Sequence, residues 1–290
     1  ETVATLKQAE IRKWVRTSQV ALGYVLTTED TQTHLHLLLL EDAHDPLRGE
    51  AQLGLRESLQ HAINQGRQFS EMALLSPQGD VVVSTDPTEE GENYSHQRYF
   101  QEGLKGAYIQ PPSRSPSLPR MSIVFSRPVI DREGHTFVLV GHTSVGVLEE
   151  IMVGRTSLGE TIETYLVNSE YDPVTPTALA EEGMYVRSEG VNAALASQGN
   201  GSAVYENYWG RPVVGVYHWL PELQVALMAE QEQAEALRST YVTLSIIGGV
   251  AMAAILAAIA VSASDSFRST SACTAAMAAS ASDSFVSTSA

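Results

Sequence analysis

An uncharged stretch near the C-terminus limits most strongly what this chain can fold into. Residues 241–261 read YVTLSIIGGVAMAAILAAIAV, 21 positions without an acidic or basic side chain. A helix of about 20 apolar residues spans the hydrocarbon core of a bilayer, and it satisfies its backbone hydrogen bonds internally. The sequence therefore predicts a single transmembrane helix at residues 241–261.

The residues before this span have the composition of a folded, acidic domain. They number roughly 240, enough for one large domain or two small ones. The net charge of −16 excludes the basic surface that nucleic-acid binding needs, so no nucleic-acid partner is expected. The only cysteine, Cys273, follows the span, so the domain has no disulfide. Glu1 already lies in a helical pattern, so we expect a signal sequence or a first membrane segment to precede this numbering.

Hydrophobic periodicity predicts a helical beginning. Residues 2–26 and 50–65 have helical spacing, which predicts a long helix, a loop and a second helix. The positions assigned to the buried stripes are Leu6, Ile11, Trp14, Val15, Ser18 and Leu22 in the first helix, and Leu53, Leu55, Leu59 and Ile63 in the second.

From Phe69 onward, short alternating runs predict antiparallel strands. The first group has strands at 69–76, 81–85, 121–130 and 136–145, with short helices from Arg98 and at 147–153. Residues 109–120 hold four prolines and are interpreted as an extended loop. A second group has strands at 161–168, 202–208, 213–219 and 224–230, and a helix at 230–238 leads into the span. The predicted fold class is α+β, with a long N-terminal helix and two antiparallel-sheet modules.

Several local phrases resemble the double Cache (dCache) domain, a PAS-like sensor region found outside the cytoplasm in bacterial chemoreceptors, histidine kinases and cyclases. The phrases are LLSPQGDVVVSTD at 74–86, SHQRYF at 95–100, GETIETYLVN at 159–168, and the run 210–235. The resemblance covers roughly residues 1–240. It implies a bacterial inner-membrane protein with its main domain on the periplasmic side. The implied organisation is a helical stalk at 1–68, a membrane-distal module at 69–155, a membrane-proximal module at 156–238, the span at 241–261 and a tail at 262–290.

The resemblance also implies a ligand cavity in the membrane-distal module. Arg98 would face the acid group of a small organic ligand, with Tyr94 and Phe100 as walls, since a guanidinium grips a carboxylate through two parallel hydrogen bonds. The alternative is that Arg98 pairs with a neighbouring carboxylate and stabilises a loop. The amino-acid-sensing branch of the family carries Arg-x-Trp-Tyr, whereas this chain has Phe100 and Gln101 at the last two positions. The usual Asp-Gly turn of the second module is replaced at residues 170–172.

No catalytic, cofactor or metal motif accompanies these features. The chain has no Gly-rich phosphate loop, no His-Glu-x-x-His pair and no Gly-x-Ser-x-Gly elbow. His135 and His142 lie at opposite ends of one predicted strand and are interpreted as having no functional role. The sequence therefore predicts a protein that is not an enzyme and binds no metal or cofactor.

The span and the tail are rich in small residues. Gly248, Gly249, Ala253 and Ala257 would let another helix approach closely. Residues 262–272 and 280–290 share ten of eleven positions at an offset of 18, which is five helical turns. The tail is either a small-residue helix suited to close packing or an addition foreign to the natural protein.

Two functions follow from these features. Because no signalling module is visible after the span, the preferred prediction is an accessory docking or structural subunit of a larger membrane complex, for example an energy-transducing or photosynthetic reaction-centre–antenna complex. It would contact other membrane-protein subunits through the span and the main domain. The alternative is a small-molecule sensing input domain of a chemoreceptor or histidine kinase.

Overall fold

The computed structural model divides the chain into two compact units. The first runs from Glu1 to Gln233 and the second from Ala234 to Ala290, and each is described by itself. The described residues are 1–27, 29–39, 46–66, 68–113, 121–153, 161–177 and 184–286. The predicted boundary between the two sheet modules, at residues 155 and 156, lies outside them.

Three helices open the first unit: α1 (Thr2–Tyr24), α2 (Glu29–Leu37) and α3 (Pro46–Gly66). The sequence analysis placed only a loop between the two long helices, so the prediction missed α2. This helix has nine residues, too few for a clear periodic pattern. A helix so short depends on tertiary packing, which here comes from the complete burial of Leu35.

The buried stripes of α1 and α3 differ from the prediction at one position each. Ile11 and Leu55 are fully buried as expected, whereas Leu6 is 56% exposed and Leu53 is 57% exposed. Five positions separate Leu6 from Ile11, which places them about 140° apart around the helix. Leu53 and Leu55, two positions apart, point in nearly opposite directions for the same reason.

The first sheet has five antiparallel strands in the order β2-β1-β5-β4-β3. A short helix, α4 (Arg98–Gly103), precedes β3, and α5 (Gly146–Val153) follows β5. The strands are β1 (Glu71–Leu75), β2 (Val81–Ser84), β3 (Tyr108–Ser113), β4 (Ser122–Ile130) and β5 (Thr136–Ser144).

Strand β3 corrects the prediction of an extended loop that began at residue 109. It lies at the edge of the sheet and pairs with β4 alone. Its register shifts between Gln110 and Ser113, at the position of Pro111 and Pro112. Proline is tolerated at an edge strand and at a bulge because no ladder hydrogen bond is lost there. The prolines therefore limit the pairing of this strand without abolishing it.

The second sheet has four antiparallel strands in the order β6-β9-β8-β7. They are β6 (Glu163–Asn168), β7 (Gly201–Glu206), β8 (Pro212–Leu220) and β9 (Val225–Glu232). The helix predicted from residue 230 begins only at Gln233, because Glu230, Gln231 and Glu232 still pair with β8.

A helix that the sequence analysis did not predict, α6 (Glu189–Ser197), precedes β7. The backbone N–H of Val191 donates to Ser188 Oγ at 3.2 Å, so Ser188 caps the N-terminus of the helix. A serine followed by Glu189 and, from Val191, by a mostly apolar run is a helix-start signal that was available in the sequence.

Helix α1 backs both sheets on the same side of the first unit. Trp14 of α1 meets Phe125 of β4 edge-to-face at 5.8 Å between ring centroids. The core around α1 also contains Leu166 of β6 and Leu227 of β9, so it continues into the second sheet. The opposite faces are covered by α4 on the first sheet and α6 on the second. These two opposite faces form the candidate sites.

The second unit is described by helix α7 (Gln233–Val286), which begins directly after β9 in the chain. Among the described residues, one helical segment, Gln233–Ala260, is long and apolar enough to cross a membrane, with a mean hydropathy of 2.4 in its most apolar part. Gly248, Gly249, Ala253 and Ala257 are exposed on α7. Their helix-packing role stays a prediction.

Candidate ligand-binding site

The outer face of the first sheet, which carries α4, has an apolar floor. Side chains alternate between the two faces of a strand, so one face collects every second residue. The members of this floor and of the helix on it are Ala73, Leu75, Val81, Tyr99, Phe100, Val124, Val138 and Val140. Tyr99 and Phe100 of α4 are 6% and 4% exposed. The predicted wall residue Phe100 therefore belongs to a packed core.

Helix α4 lies directly against the sheet because of a glycine and a serine. A Cβ on Gly103 would lie 2.7 Å from Val138 Cγ1 and 2.9 Å from Ser126 Oγ. The hydroxyl of Ser126 donates to the backbone carbonyl of Tyr99 at 2.7 Å. These contacts fix the height of α4 over β4 and β5, and thereby the position of its aromatic residues.

On this face, the Tyr99 ring of α4 contacts the rings of Tyr94 and His142. Tyr94 and Tyr99 meet at 6.4 Å between centroids, and Tyr99 and His142 at 6.1 Å, both in edge arrangements. The Tyr94 hydroxyl lies 3.5 Å from Glu89 Oε1. Burial raises the pKa of Tyr94 and of Tyr99, with nearby acidic groups adding to the effect. Both phenols therefore remain neutral hydrogen-bonding groups.

A polar group that the sequence analysis missed lies on the same face. Glu71 of β1 and His142 of β5 are directly opposite each other in the antiparallel ladder. Glu71 Oε1, His142 Nδ1 and the Tyr108 hydroxyl are buried and have no hydrogen-bond partner among the described residues. Buried polar atoms without partners are uncommon in folded proteins, and a bound molecule or water commonly satisfies them.

The charge states of this group follow from burial. Desolvation raises the pKa of Glu71 to about 8, and a hydrogen bond with Glu89 and the repulsion between the two carboxylates act in the same direction. Desolvation lowers the pKa of His142, although Glu89 opposes this. At neutral pH the site therefore presents a protonated carboxyl and a neutral imidazole.

Arg98 lines a cavity of about 600 Å³ at the N-terminal end of α4. Its guanidinium lies 5.8 Å from the centroid of the Tyr108 ring, within the range of a cation–π contact. Gln97, which precedes α4, also lines it, with residues from β3 and from the second module that include Gln110, Asn168, Glu170, Asp172 and Gln224. The cavity is therefore lined by a cation, Arg98, from the first module and by two carboxylates, Glu170 and Asp172, from the second.

The three residues predicted to surround a ligand have different environments. Arg98 is exposed and lines the cavity together with Tyr108. Tyr94 is half-buried beside the packed core, and Phe100 is inside it. The alternative carboxylate partner for Arg98 is not among the ion pairs of the described residues. The role of these three residues in binding stays a prediction.

His142, Glu71 and Glu89 were missed because their sequence positions are far apart. The sequence contained only a weak signal for a buried polar group at these positions. Glu71 is in phase with Ala73 and Leu75, two positions of β1 that face inward, which marks a polar residue at a buried position. The interpretation of His142 as a histidine without a functional role stays a prediction, and its place opposite Glu71 depends on strand pairing.

Solved structures with a similar fold include a ligand-binding domain and a sensor domain. No protein-family model and no curated protein matches the sequence significantly. The ligand-binding domain of the Campylobacter jejuni chemoreceptor Tlp3, in complex with 4-methylisoleucine, is 12% identical, with a TM-score of 0.61 over 80% of this chain and 89% of that chain. The sensor domain of the V. cholerae histidine kinase DctB is 13% identical, with a TM-score of 0.57 over 81% of this chain and 96% of that chain.

These likenesses confirm the predicted fold, which is of the double-Cache type. They also correct the preferred functional prediction. The sequence analysis favoured an accessory docking or structural subunit of a larger membrane complex, and this prediction is wrong, since the structural neighbours are a ligand-binding domain and a sensor domain. The error came from giving weight to the absence of a visible module after the span, which says nothing about what the domain binds.

Proposed function

We propose that this chain, with its double-Cache type of fold, is a non-catalytic sensing input domain that binds a small organic acid. The observation that carries the proposal is the set of three buried, unpartnered polar atoms on one face of the first sheet, on Glu71, Tyr108 and His142, of which Tyr108 also lines the cavity with Arg98. Pockets for small molecules typically combine apolar walls with a few converging polar groups. The structural neighbours, a ligand-binding domain and a sensor domain, support the same function.

The charges around the cavity favour a ligand with its acid group at one end. Arg98 offers a guanidinium on the side of the first module, where a carboxylate would gain two parallel hydrogen bonds. Glu170 and Asp172 lie on the side of the second module, where a second negative group would be repelled. The protonated Glu71 carboxyl and the neutral His142 ring supply hydrogen bonds without adding charge.

In this proposal, α7 anchors the domain in the bacterial inner membrane, with the domain on the periplasmic side. The length and the hydropathy of the segment Gln233–Ala260 support the anchor. Gly248, Gly249, Ala253 and Ala257 would allow another helix to pack closely, as small residues do in membranes. A packing contact of this kind would carry the signal from the sensing domain.

The test is thermal denaturation of the full chain in detergent micelles with a panel of small mono- and dicarboxylic acids, and with amines for comparison. A true ligand at 100 times its Kd stabilises the folded state by about 2.7 kcal/mol. For a domain of this size, that raises the melting temperature by roughly 5–10 °C. Titration calorimetry then measures the affinity of each acid that stabilises the protein.

Two matched variants decide whether Arg98 holds the ligand. Arg98→Gln is expected to weaken binding at least tenfold, since it removes a charge-assisted pair of hydrogen bonds. Arg16→Gln removes the same charge from an exposed position on α1 and is expected to leave affinity unchanged. The proposal fails if no acid stabilises the protein, or if both variants bind as the unchanged protein does.

A further inference from the structure

A second buried carboxyl lies in the second module, on the face that α6 covers. Glu230 of β9 is only 2% exposed. The hydroxyls of Tyr165 and Tyr205 donate to its Oε1 at 2.9 Å and 2.8 Å. Its other oxygen, Oε2, is buried and has no hydrogen-bond partner among the described residues. A carboxylate with one uncompensated buried oxygen is more costly than a protonated carboxyl in the same place, because the protonated form carries no charge.

The strands beside Glu230 provide no positive charge. Glu163 of β6 is directly opposite Glu230 in the ladder, and it accepts from the Tyr208 hydroxyl at 2.6 Å. On the other side, the paired residue of β8 is Gly215, which has no side chain. The Tyr205 ring fills the space there, since a Cβ on Gly215 would lie 2.1 Å from the Tyr205 hydroxyl oxygen.

The remaining charged and titratable groups of the module are engaged elsewhere or exposed. On the α6 side, Glu189 is exposed and Arg187 lies over the ring of Tyr171 at 4.6 Å. Glu232, next on the same face of β9, pairs with Arg211. From β8, the Tyr217 phenol lies near Tyr205. No described basic side chain forms an ion pair with Glu230.

We propose that the second module is a proton-sensing input, in which Glu230 takes up and releases the proton. In the acid form, the proton is on Oε2 while Oε1 accepts both tyrosine hydroxyls. When the proton leaves to bulk water, a negative charge remains in a buried place beside Glu163, and the packing of this face around Glu230 loosens.

A change in the packing around Glu230 can reach helix α7 because Glu230 lies close to it in sequence. Glu230 is two residues before Glu232, the last residue of β9, and α7 begins with the next residue, Gln233. A loosening at the end of β9 therefore changes the segment from which α7 starts. The proposal does not depend on a ligand in the first module, so it can fail while the acid-binding proposal holds, and the reverse.

The pKa of Glu230 supports the geometry. Burial raises it above the ordinary value of 4.5, the hydroxyls of Tyr205 and Tyr165 act in the opposite direction, and Glu163 raises it further. Because the folded-state pKa is raised, this group favours the packed state fully below pH 4.5 and loses that contribution as the pH rises through the folded-state pKa.

The experiment follows the protonation directly in the full chain, in detergent micelles, by infrared difference spectroscopy during a pH titration. The protonated carboxyl has a C=O absorption that a carboxylate lacks. The difference between wild-type protein and Glu230→Gln isolates the Glu230 absorption from that of Glu71, whose pKa is also raised. The Glu230 absorption is expected to disappear at a pH clearly above 4.5. Glu230→Gln, which keeps the shape and the hydrogen-bond acceptor, is expected to lack this transition.

Three further variants test the direction in which the midpoint of this transition moves. Tyr205→Phe removes a donor that stabilises the charged form, so the midpoint rises by about one pH unit. Glu163→Gln removes a repelling charge, so the midpoint falls. Glu206→Gln removes an exposed carboxyl of β7 and leaves the midpoint unchanged.

Tryptophan fluorescence gives a second measurement. The ring of Trp209 lies 6.0 Å from the ring of Tyr208, whose hydroxyl donates to Glu163 beside Glu230. The fluorescence is expected to change with the same midpoint as the infrared signal. The proposal is overturned if Glu230→Gln retains the transition, if the wild-type midpoint is that of an ordinary carboxyl, or if Tyr205→Phe and Glu163→Gln move it in the same direction.

Discussion

Replacing Glu71 by Gln should make the stability of the protein less dependent on pH. The pKa of Glu71 is about 8 in the folded protein, against an ordinary value of 4.5, with burial as the largest cause. Between these values the folded state holds a proton that the unfolded state has released. Stability therefore falls as the pH rises from 4.5 to about 8, and the glutamine, which cannot ionise, does not contribute to this fall.

The size of the effect follows from the pKa difference and the exposure of the side chain. From 4.5 to pH 7 is about 2.5 pH units, and each unit corresponds to 1.36 kcal/mol, which sets an upper limit of about 3.4 kcal/mol. Glu71 is half-buried, so solvent screening reduces the value to roughly 1–2 kcal/mol. For a domain of this size that corresponds to roughly 2–8 °C in melting temperature.

The measurement is the melting temperature of the full chain in detergent micelles between pH 5 and pH 9, by circular dichroism. Wild type minus Glu71→Gln isolates this carboxyl from the others that titrate in the same range. Glu57→Gln, an exposed position on α3, serves as the matched control and should follow the wild-type profile. Parallel profiles for wild type and Glu71→Gln would show that Glu71 is ionised like an exposed carboxyl, and the reasoning would be refuted.

Two further predictions concern the packing that positions the site. Gly103→Ala should destabilise the protein by about 1–3 kcal/mol, because the added methyl would overlap Val138 beneath α4; a denaturant midpoint equal to that of the wild type would contradict this. Leu55→Ala should cost about 2–5 kcal/mol because the side chain is fully buried. Leu53→Ala, on the exposed side of the same helix, should stay within about 0.5 kcal/mol in the same denaturation measurement.

The elements that local patterns mark were predicted well. The tight turn between β1 and β2 is an example: Pro77-Gln78-Gly79-Asp80 has turn chemistry, and Gly79 adopts a φ of +92° that favours glycine. A Cβ there would also lie 2.7 Å from the backbone of Ser95. The start of α4 at Arg98 and the strands of the two sheets other than β3 followed from the same kind of local signal.

Two of the elements that were missed, α2 and β3, depend on partners far along the chain. The nine-residue helix α2 depends on the burial of Leu35 against other segments. Strand β3 contains two prolines and forms a strand only because its place at the sheet edge tolerates them. In both cases the local signal is weak, and tertiary packing decides the outcome.

The amino-acid sequence by itself determined the alternation of the strands, the turn at Gly79, and the uncharged stretch at 241–261, because each is a property of neighbouring residues along the chain. The tertiary structure decided the charge states. Antiparallel pairing places Glu71 opposite His142, and the second sheet brings Glu230 to Tyr165 and Tyr205. A carboxyl keeps or loses its proton according to burial and the groups around it, and both depend on strands that are distant in sequence.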